Sequence, residues 1–179
     1  MFSTLFDGPT VTLEEILHAK EVRANIQKNL LKENPQAVLL SATMNIPGPV
    51  KTSEEIAQVF HVMIDAVEKS VSEVRPLVHL YRKKKTGYEY FLVLPLRKET
   101  LKKRMIEIEE TCLFGRLVDL DVLFWDEGQL QPVSRDMLGY KQRTCFICSE
   151  EAKVCSRQQK HPFQEIRNHI QQLVEKGRE

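Results

Sequence analysis

Two aspartates separated by one residue lie in the most strand-like stretch of the chain. Residues 115–125 are rich in β-branched and aromatic side chains, and apolar and polar residues alternate along them. Because side chains of a strand alternate between two faces, Asp119 and Asp121 are predicted to share one face, with Cα atoms roughly 7 Å apart. Such carboxylates repel each other unless a cation lies between them, and Mg²⁺ with its preference for oxygen ligands is the natural cation. Solvated carboxylates on a half-buried strand are the simpler alternative.

Three cysteines and a histidine near the C-terminus are spaced like metal ligands. Cys145 and Cys148 form a Cys-x-x-Cys pair, and Cys155 and His161 follow at wider intervals. Together they would complete a tetrahedral Cys₃His zinc site. Two alternatives stay open, namely reduced thiols that pack a small subregion, and a redox pair that lacks the usual βαβ context. Cys112 stands apart and is predicted to be a core thiol.

Basic residues are the candidates for binding phosphate groups. Lys51 follows the rigid segment 47–50, Pro-Gly-Pro-Val, and directly precedes a predicted helix. A lysine and the backbone N–H groups of a helix N-terminus can bind phosphate together. The alternative is a surface lysine after a turn, because this loop is not a Walker-type glycine loop. Gly115 and Arg116 come just before the aspartate pair, so Arg116 is a second candidate.

Further carboxylates precede the aspartates in the chain. A helix is predicted from Arg97 to Glu110, and it is basic at its start and acidic at its end, which is the opposite of what the helix dipole favours. Glu107 and Glu109 are therefore candidates for an additional carboxylate at the cation. An acidic, solvated turn is the alternative.

The elements that must position these residues can be predicted from periodicity. Thr12 and Glu15 form a capping box that begins a first helix, and Asn34-Pro35 ends it near Glu33. Further helices are predicted after Thr52 or Ser53, from Arg97 to Glu110 and from Pro162 to Glu175, and strands at 37–43, 77–81, 88–94, 115–125 and 130–133. This order predicts an α+β fold with a mixed sheet of about five strands, flanked by three or four helices.

Composition limits the class of protein. The length of 179 residues predicts a single catalytic domain over 1–179, with 141–179 as a subregion that holds the Cys/His loop and the last helix. Phe2, Leu5 and Phe6 are predicted to dock the N-terminus onto it. Lys plus Arg (26) nearly balances Asp plus Glu (25), so no bulk basicity indicates nucleic acid or an anionic membrane as a partner. Without a membrane-length apolar run or a signal peptide, the cytoplasm is the expected location, and there the thiols would be reduced.

Four blocks of sequence together resemble the apo-citrate lyase phosphoribosyl-dephospho-CoA transferases, also called holo-citrate lyase synthases. The resemblance extends from about residue 13 to about residue 173. The blocks are a helix containing Arg23, Pro-Gly-Pro-Val-Lys at 47–51, Gly-Arg-Leu-Val-Asp-Leu-Asp-Val at 115–122, and Arg-Thr-Cys-Phe-Ile-Cys…Cys-Ser-Arg…His at 143–161. The chain differs from the family at 112–114, Cys-Leu-Phe, where a histidine and a proline are frequent, and at Val118, where a large aromatic residue is common.

The resemblance implies a reaction and assigns residues to it. It implies transfer of 2′-(5″-triphosphoribosyl)-3′-dephospho-CoA to a serine of the acyl-carrier (gamma) subunit of citrate lyase, with release of diphosphate. The chemistry would be of the nucleotidyltransferase type. Asp119 and Asp121 would hold Mg²⁺ and act with Arg116. The donor would be bound by Lys51, Arg23, Gly115 and Arg143.

Three other interpretations accompany this one. The fold is similar to that of nucleotidyltransferases in its Asp-x-Asp strand, although Gly115 lies closer to Asp119 than the glycine turn of that fold does. The acceptor could instead be the carrier subunit of malonate decarboxylase. A non-catalytic, zinc-stabilised adaptor that binds an acyl carrier protein is a third interpretation. The paired aspartates favour an enzyme, since an adaptor has no need to place two like charges together.

Overall fold

The structure is a computed structural model that describes residues 5–177. Phe2, part of the predicted docking segment, lies outside the described residues, as do the ends of the predicted domain. Leu5 is fully buried and Phe6 is 9% exposed, so the remainder of that segment does dock against the core. Within the described residues, no helix is long and apolar enough to span a bilayer.

Residues 5–177 form one five-stranded sheet and five α-helices. The strands are β1 (Val38–Met44), β2 (Val78–Lys84), β3 (Gly87–Leu94), β4 (Val118–Asp126) and β5 (Gln129–Pro132). The helices are α1 (Leu13–Glu33), α2 (Glu54–Ser70), α3 (Lys98–Thr111), α4 (Ala152–Gln158) and α5 (Phe163–Lys176). The α+β prediction with about five strands is confirmed.

The sheet has the order β2-β3-β1-β4-β5, and each of these four neighbouring pairs is antiparallel. The expectation of a mixed sheet is therefore wrong in this detail. The helix α2 connects β1 to β2, and these two strands are parallel to each other. They are not neighbours, however, because β3 lies between them. In the same way, α3 connects β3 to β4, and β1 lies between them. This is the split βαβ arrangement of ferredoxin-like folds, in which helical crossovers coexist with antiparallel pairing.

Helices cover both faces of the sheet. On one face, α2 and α3 bury the main core, which also includes Ile170 and Val174 of α5. On the other face, α1 packs on a smaller core that contains Leu39, Phe91 and Leu123. The capping box that begins α1 is confirmed, since the Thr12 N–H donates to Glu15 at 2.8 Å and the Glu15 N–H donates to the Thr12 hydroxyl at 3.2 Å.

Local geometry differs from the periodicity in three places. Residues Gly115–Leu117, predicted as strand, form a 3-10 turn. A Cβ on Gly115 would lie 2.4 Å from the Glu109 carbonyl oxygen, so the close approach to the end of α3 requires glycine. The basic residues Arg82–Lys84, predicted as a loop, continue β2. The short helix α4 was not predicted, because seven residues give too few turns for a clear period.

Candidate functional site

The two aspartates lie on the face of the sheet that α1 covers. Asp119 is paired with Thr43 of β1, and Thr43 is paired with Glu89 of β3, so one row crosses three strands. Asp121 is paired with Ser41 in the next row. Because directly paired residues point to the same face, these polar groups share the space beneath α1. The predicted alternation is confirmed, since the intervening residues Val118, Leu120 and Val122 are buried in the main core.

Both carboxyls occupy surroundings that disfavour their charge. The Asp119 side chain is 42% exposed, yet the protein atoms around it remove enough water to raise its pKa. The guanidinium of Arg143 opposes that rise, and the neighbouring Asp121 adds to it. Dehydration raises the pKa of Asp121 as well, against the opposing charge of Lys102. A cation bound between the two carboxylates would compensate their negative charge.

Arg143 reaches the aspartates from the C-terminal part of the chain. Its Nη1 donates to Oδ1 of Asp119 at 2.7 Å and to the Val118 carbonyl at 3.1 Å. Its Nη2 donates to the carbonyls of Arg116 at 2.9 Å and Gly115 at 3.3 Å. These contacts make Arg143 an anchor for the beginning of β4. Gly115 contributes its carbonyl to that anchor.

A small cavity of about 50 Å³ lies between α1 and the ends of β1 and β3. Lys20, Arg23 and Lys51 line it, together with Thr43 and Glu89 of the polar row. Burial, and to a smaller extent the nearby charge of Lys20, lower the pKa of Lys51. The cavity therefore offers a concentration of positive charge next to the aspartate-bearing strand.

Arg23 connects the cavity with the carboxylates. Its Nη1 lies 3.5 Å from Oε1 of the buried Glu89, and Glu89 also forms an ion pair with Arg82 at 2.5 Å. The charge of Arg23 also lowers the pKa of Asp121, as one of the smaller influences on that carboxyl. Arg23 and Lys51, predicted from distant parts of the sequence, thus lie at the same end of the sheet.

The N-terminus of α2, where a phosphate site beside Lys51 is predicted, is covered by the backbone at Leu5. The hydroxyl of Ser53 accepts the Ile56 N–H at 3.1 Å and donates to the Leu5 carbonyl at 2.8 Å. Ser53 itself is only 8% exposed. Lys51 faces the cavity beneath α1 instead, and its ammonium donates to the Ile46 carbonyl.

Arg116 does not contact the aspartates that it precedes. Its Nη1 donates to the hydroxyl of Thr144 at 3.1 Å, its Nη2 donates to the Thr144 carbonyl, and its guanidinium lies 4.9 Å from the ring centre of Phe146. Its buried Nε has no hydrogen-bond partner among the described residues. Arg116 therefore joins the beginning of β4 to the cysteine-containing segment.

The two predicted additional carboxylates differ in position. Glu109 is 5% exposed, accepts the Leu120 N–H at 3.1 Å and pairs with Arg135 at 2.6 Å. Its other neighbour, Arg143, is 4.0 Å away. These contacts give Glu109 the role of neutralising the arginines behind β4. Glu107 is exposed on α3.

Sequence reasoning missed Glu89 and the polar residues around it. Gln27 of α1 donates to the hydroxyl of Ser41 at 2.9 Å, which places a polar bridge directly beside Asp121. A signal for Glu89 did exist, because period two in β3 puts this glutamate on the same face as Phe91 and Val93. A buried charge on an otherwise apolar strand face indicates a partner.

The Cys/His cluster is assembled as its spacing suggested. Ligand atoms of Cys145, Cys148, Cys155 and His161 all lie within 4.8 Å of one another, so the group could hold a metal ion. The sulfurs of Cys148 and Cys155 are 3.5 Å apart, and Nε2 of His161 is 3.3 Å from the Cys148 sulfur. Cys112 lies outside this group and packs at the edge of the main core, as predicted.

Comparisons with known proteins agree on one family. The family described as apo-citrate lyase phosphoribosyl-dephospho-CoA transferase matches residues 11–177. A Streptococcus pyogenes serotype M18 protein, named as a probable member of that family, is 44% identical over 171 residues, covering 96% of this chain and 89% of the relative. A Vibrio cholerae protein of the same name is 31% identical and covers 92% of each chain.

A longer relative contains a similar unit. The Haemophilus influenzae protein CitXG is 36% identical over 176 residues, which are 97% of this chain and 37% of that protein. The family match spans nearly all of the described residues, including the polar row, the cavity and the Cys/His cluster. The chain therefore belongs to the apo-citrate lyase phosphoribosyl-dephospho-CoA transferase family.

Proposed function

We propose that this protein transfers the 2′-(5″-triphosphoribosyl)-3′-dephospho-CoA group to a serine of the acyl-carrier subunit of citrate lyase and releases diphosphate. The observation that carries the proposal is the arrangement beneath α1, in a chain of this family. Two carboxylates with raised pKa values on one face of β4 lie beside a cavity lined by Lys20, Arg23 and Lys51. A triphosphate donor needs both kinds of group, cations for its charge and carboxylates for a metal ion.

The donor set at the aspartates fits Mg²⁺. Both side chains offer carboxylate oxygens from one face of β4, and their raised pKa values reflect charge that a cation would compensate. Mg²⁺ held there would offset the negative charge of the phosphates. Arg143 fixes Oδ1 of Asp119, so this carboxylate is already oriented.

The chain's own residues take the remaining roles. Lys51 and Arg23 bind the triphosphate. The negative charge of the triphosphate favours the protonated form of Lys51, which burial disfavours in the free protein. The serine oxygen forms a bond to the α-phosphorus, and the bond from that phosphorus to the bridging oxygen breaks, leaving diphosphate. One of the two aspartates accepts the serine proton, for which a raised pKa is suitable. This is nucleotidyl-transfer-type chemistry.

The test is mass spectrometry of the carrier subunit after incubation with this protein, Mg²⁺ and the donor. A mass gain equal to the prosthetic group, together with released diphosphate, is the expected result. Asp126→Asn is a matched control for Asp121→Asn, because Asp126 lies at the far end of the same strand, where it pairs with Gln129 and points to the opposite face. An unmodified carrier subunit under conditions in which the protein is folded would contradict the proposal.

The same assay separates the alternatives. Modification of the malonate decarboxylase carrier instead of the citrate lyase carrier would assign the protein to the sister reaction. A non-catalytic adaptor would bind the carrier without releasing diphosphate. The names of the relatives favour citrate lyase, and the paired aspartates favour catalysis.

A further inference from the structure

We propose that Cys145, Cys148, Cys155 and His161 bind one zinc ion in a closed, structural site. The proposed zinc holds together the segment that delivers Arg143 and Thr144 to the beginning of β4. The proposal rests on the geometry of four side chains and does not depend on the transferase reaction. Its experiment measures metal, so it can fail independently of the proposed function.

The four ligand atoms lie within 4.8 Å of one another, which is close to the spacing of a tetrahedral site. With Zn–S bonds of about 2.3 Å and a Zn–N bond of about 2.0 Å, neighbouring ligand atoms should lie roughly 3.5–3.8 Å apart. The Cys148–Cys155 sulfur distance is 3.5 Å and the His161 Nε2–Cys148 distance is 3.3 Å. A disulfide requires sulfurs about 2.0 Å apart, and the 3.5 Å between these two sulfurs is closer to the separation of two thiolates on one ion.

The backbone around the first pair supports a metal-bound thiolate. The Ile147 N–H points at the Cys145 sulfur from 3.4 Å, and such an N–H stabilises negative charge on sulfur. Three thiolates and one Zn²⁺ carry a net charge of about −1. Arg116 lies close enough to Cys145 for their charges to interact, and Lys160 pairs with Glu150 beside Cys155.

The segment around the cluster buries little apolar surface of its own. Between residues 140 and 162, Cys155 alone is buried. The helix α4 has seven residues, which is too short to be stable by itself. A segment with so little apolar burial usually needs a metal or a cross-link to keep one conformation. Zinc bound to four of its side chains would supply that constraint.

The cluster is connected directly to the candidate active site. The Ala152 N–H donates to the Arg143 carbonyl at 2.8 Å, and the Cys145 N–H donates to the Glu150 carbonyl at 2.7 Å. These bonds close the loop immediately after Arg143, whose side chain holds Asp119. Arg116 holds the same segment from the other side through Thr144. The proposed zinc would therefore influence the aspartates only by fixing the position of Arg143, and it would take no part in the reaction.

The experiment is elemental analysis of the full chain, purified under reducing conditions and dialysed against buffer with added zinc and then without it. One zinc per chain is expected. Cys148→Ser should lose most of the zinc, whereas Cys112→Ser, a thiol outside the cluster, should retain it. With cobalt in place of zinc, wild type and Cys112→Ser should show thiolate-to-cobalt charge-transfer absorption and the visible bands of tetrahedral cobalt.

Three results would overturn the proposal. The first is a folded wild-type chain that keeps no zinc after dialysis. The second is a Cys148→Ser variant that retains the full amount. The third is a wild-type mass lower by two hydrogens under the same conditions, which would identify a disulfide in place of a metal site. The zinc content of wild type is measured directly, so a folding defect in the variant cannot affect that result.

Discussion

At the scale of the residue, Asp119 and Asp121 share a strand face but not an environment. Asp119 is held by Arg143 at 2.7 Å, so replacing it would also free a guanidinium that binds three backbone carbonyls. Asp121 is influenced by the more distant charges of Lys102 and Arg23. Substitution of Asp121 therefore gives the cleaner test of what a carboxylate does at this position.

Asp121→Asn is expected to lower the transfer rate by about 10²-fold or more, because it removes a proposed metal ligand or base.

The same variant should have a higher free energy of unfolding at pH 7 in the presence of a chelator. The folded-state pKa of Asp121 is raised, so the ionised group destabilises the fold at pH values above that pKa. The difference should vanish as the pH falls below the ordinary aspartate pKa, where both states are protonated. Chemical denaturation at several pH values measures it.

The control for this variant is Asp126→Asn, which should change neither rate nor stability substantially because Asp126 lies at the far end of β4, on the opposite face from Asp121. If Asp121→Asn transfers the group at a near wild-type rate with Mg²⁺ present, the metal and base assignments for Asp121 are both wrong. If it is less stable than wild type in chelator at pH 7, dehydration is not the main influence on this carboxyl.

Lys51→Met should weaken donor binding by roughly 10- to 100-fold, the usual effect of one charge-assisted hydrogen bond. Burial and Lys20 lower the pKa of Lys51, so the affinity of wild type for the donor should fall as the pH rises through that lowered pKa. The affinity of the Lys51→Met variant should not show this fall. Titration calorimetry across pH measures both effects. Lys84→Met, an exposed lysine of β2, is the matched control. Equal losses in the two variants would show that Lys51 has no specific role.

At the scale of the element, the beginning of β4 is fixed by its neighbours more than by its own sequence. The 3-10 turn Gly115–Leu117 packs closely against the last turn of α3, and Arg143 binds carbonyls within the turn and directly after it. The aspartates are positioned by this junction. Changes there should affect stability and activity together.

Gly115→Ala is expected to lower the free energy of unfolding by about 1–3 kcal/mol, because its Cβ would lie 2.4 Å from the Glu109 carbonyl and 2.6 Å from that of Ile108. These are backbone atoms, so a side-chain rotation cannot relieve the overlap. Gly139→Ala is the comparison, since no atom lies within 4 Å of its added Cβ and its cost is the strain of φ +75° alone. A Gly115→Ala protein as stable as wild type would contradict the close contact.

Removal of metal should loosen the segment 140–161 without unfolding the sheet. Limited proteolysis after chelation is expected to cut within this segment at least about tenfold faster, since local opening tracks the loss of a local constraint. The β-sheet signal in circular dichroism should be unchanged. Cys112→Ser should behave like wild type before and after chelation, and Cys148→Ser should be cut rapidly in both conditions. Equal cleavage of wild type with and without chelator would exclude a metal constraint on this segment.

At the scale of the whole molecule, the two faces of the sheet have different roles. One face buries the main core, and the other contains the candidate site. The face beneath α2 and α3 is apolar along the central strands β1, β3 and β4, and it buries the main core. The face beneath α1 is apolar at the end that contains Leu39 and Leu123, and polar at the end that contains Asp119 and Glu89. One helix thus stabilises the fold with one half and encloses the candidate site with the other.

Much of the local structure was predictable from sequence. The capping box at Thr12 and Glu15 gave the beginning of α1, and the regular apolar spacing from Ile56 to Val67 gave α2. The prediction of a mixed sheet was wrong because a helical crossover indicates two strands of the same direction but not whether another strand lies between them. Local patterns carry no information about that insertion.

Spacing along the chain was enough to predict that Asp119 and Asp121 share a face and that the cysteines are spaced like metal ligands, because both follow from fixed distances between nearby residues. The groups that surround these residues are known only from the folded structure. Glu89 joins Asp119 through the pairing of β3, β1 and β4, and Arg116 binds the cysteine segment instead of the aspartate pair. Contacts between residues distant in the chain depend on sheet order and on competition among partners. Periodicity along one strand does not encode either.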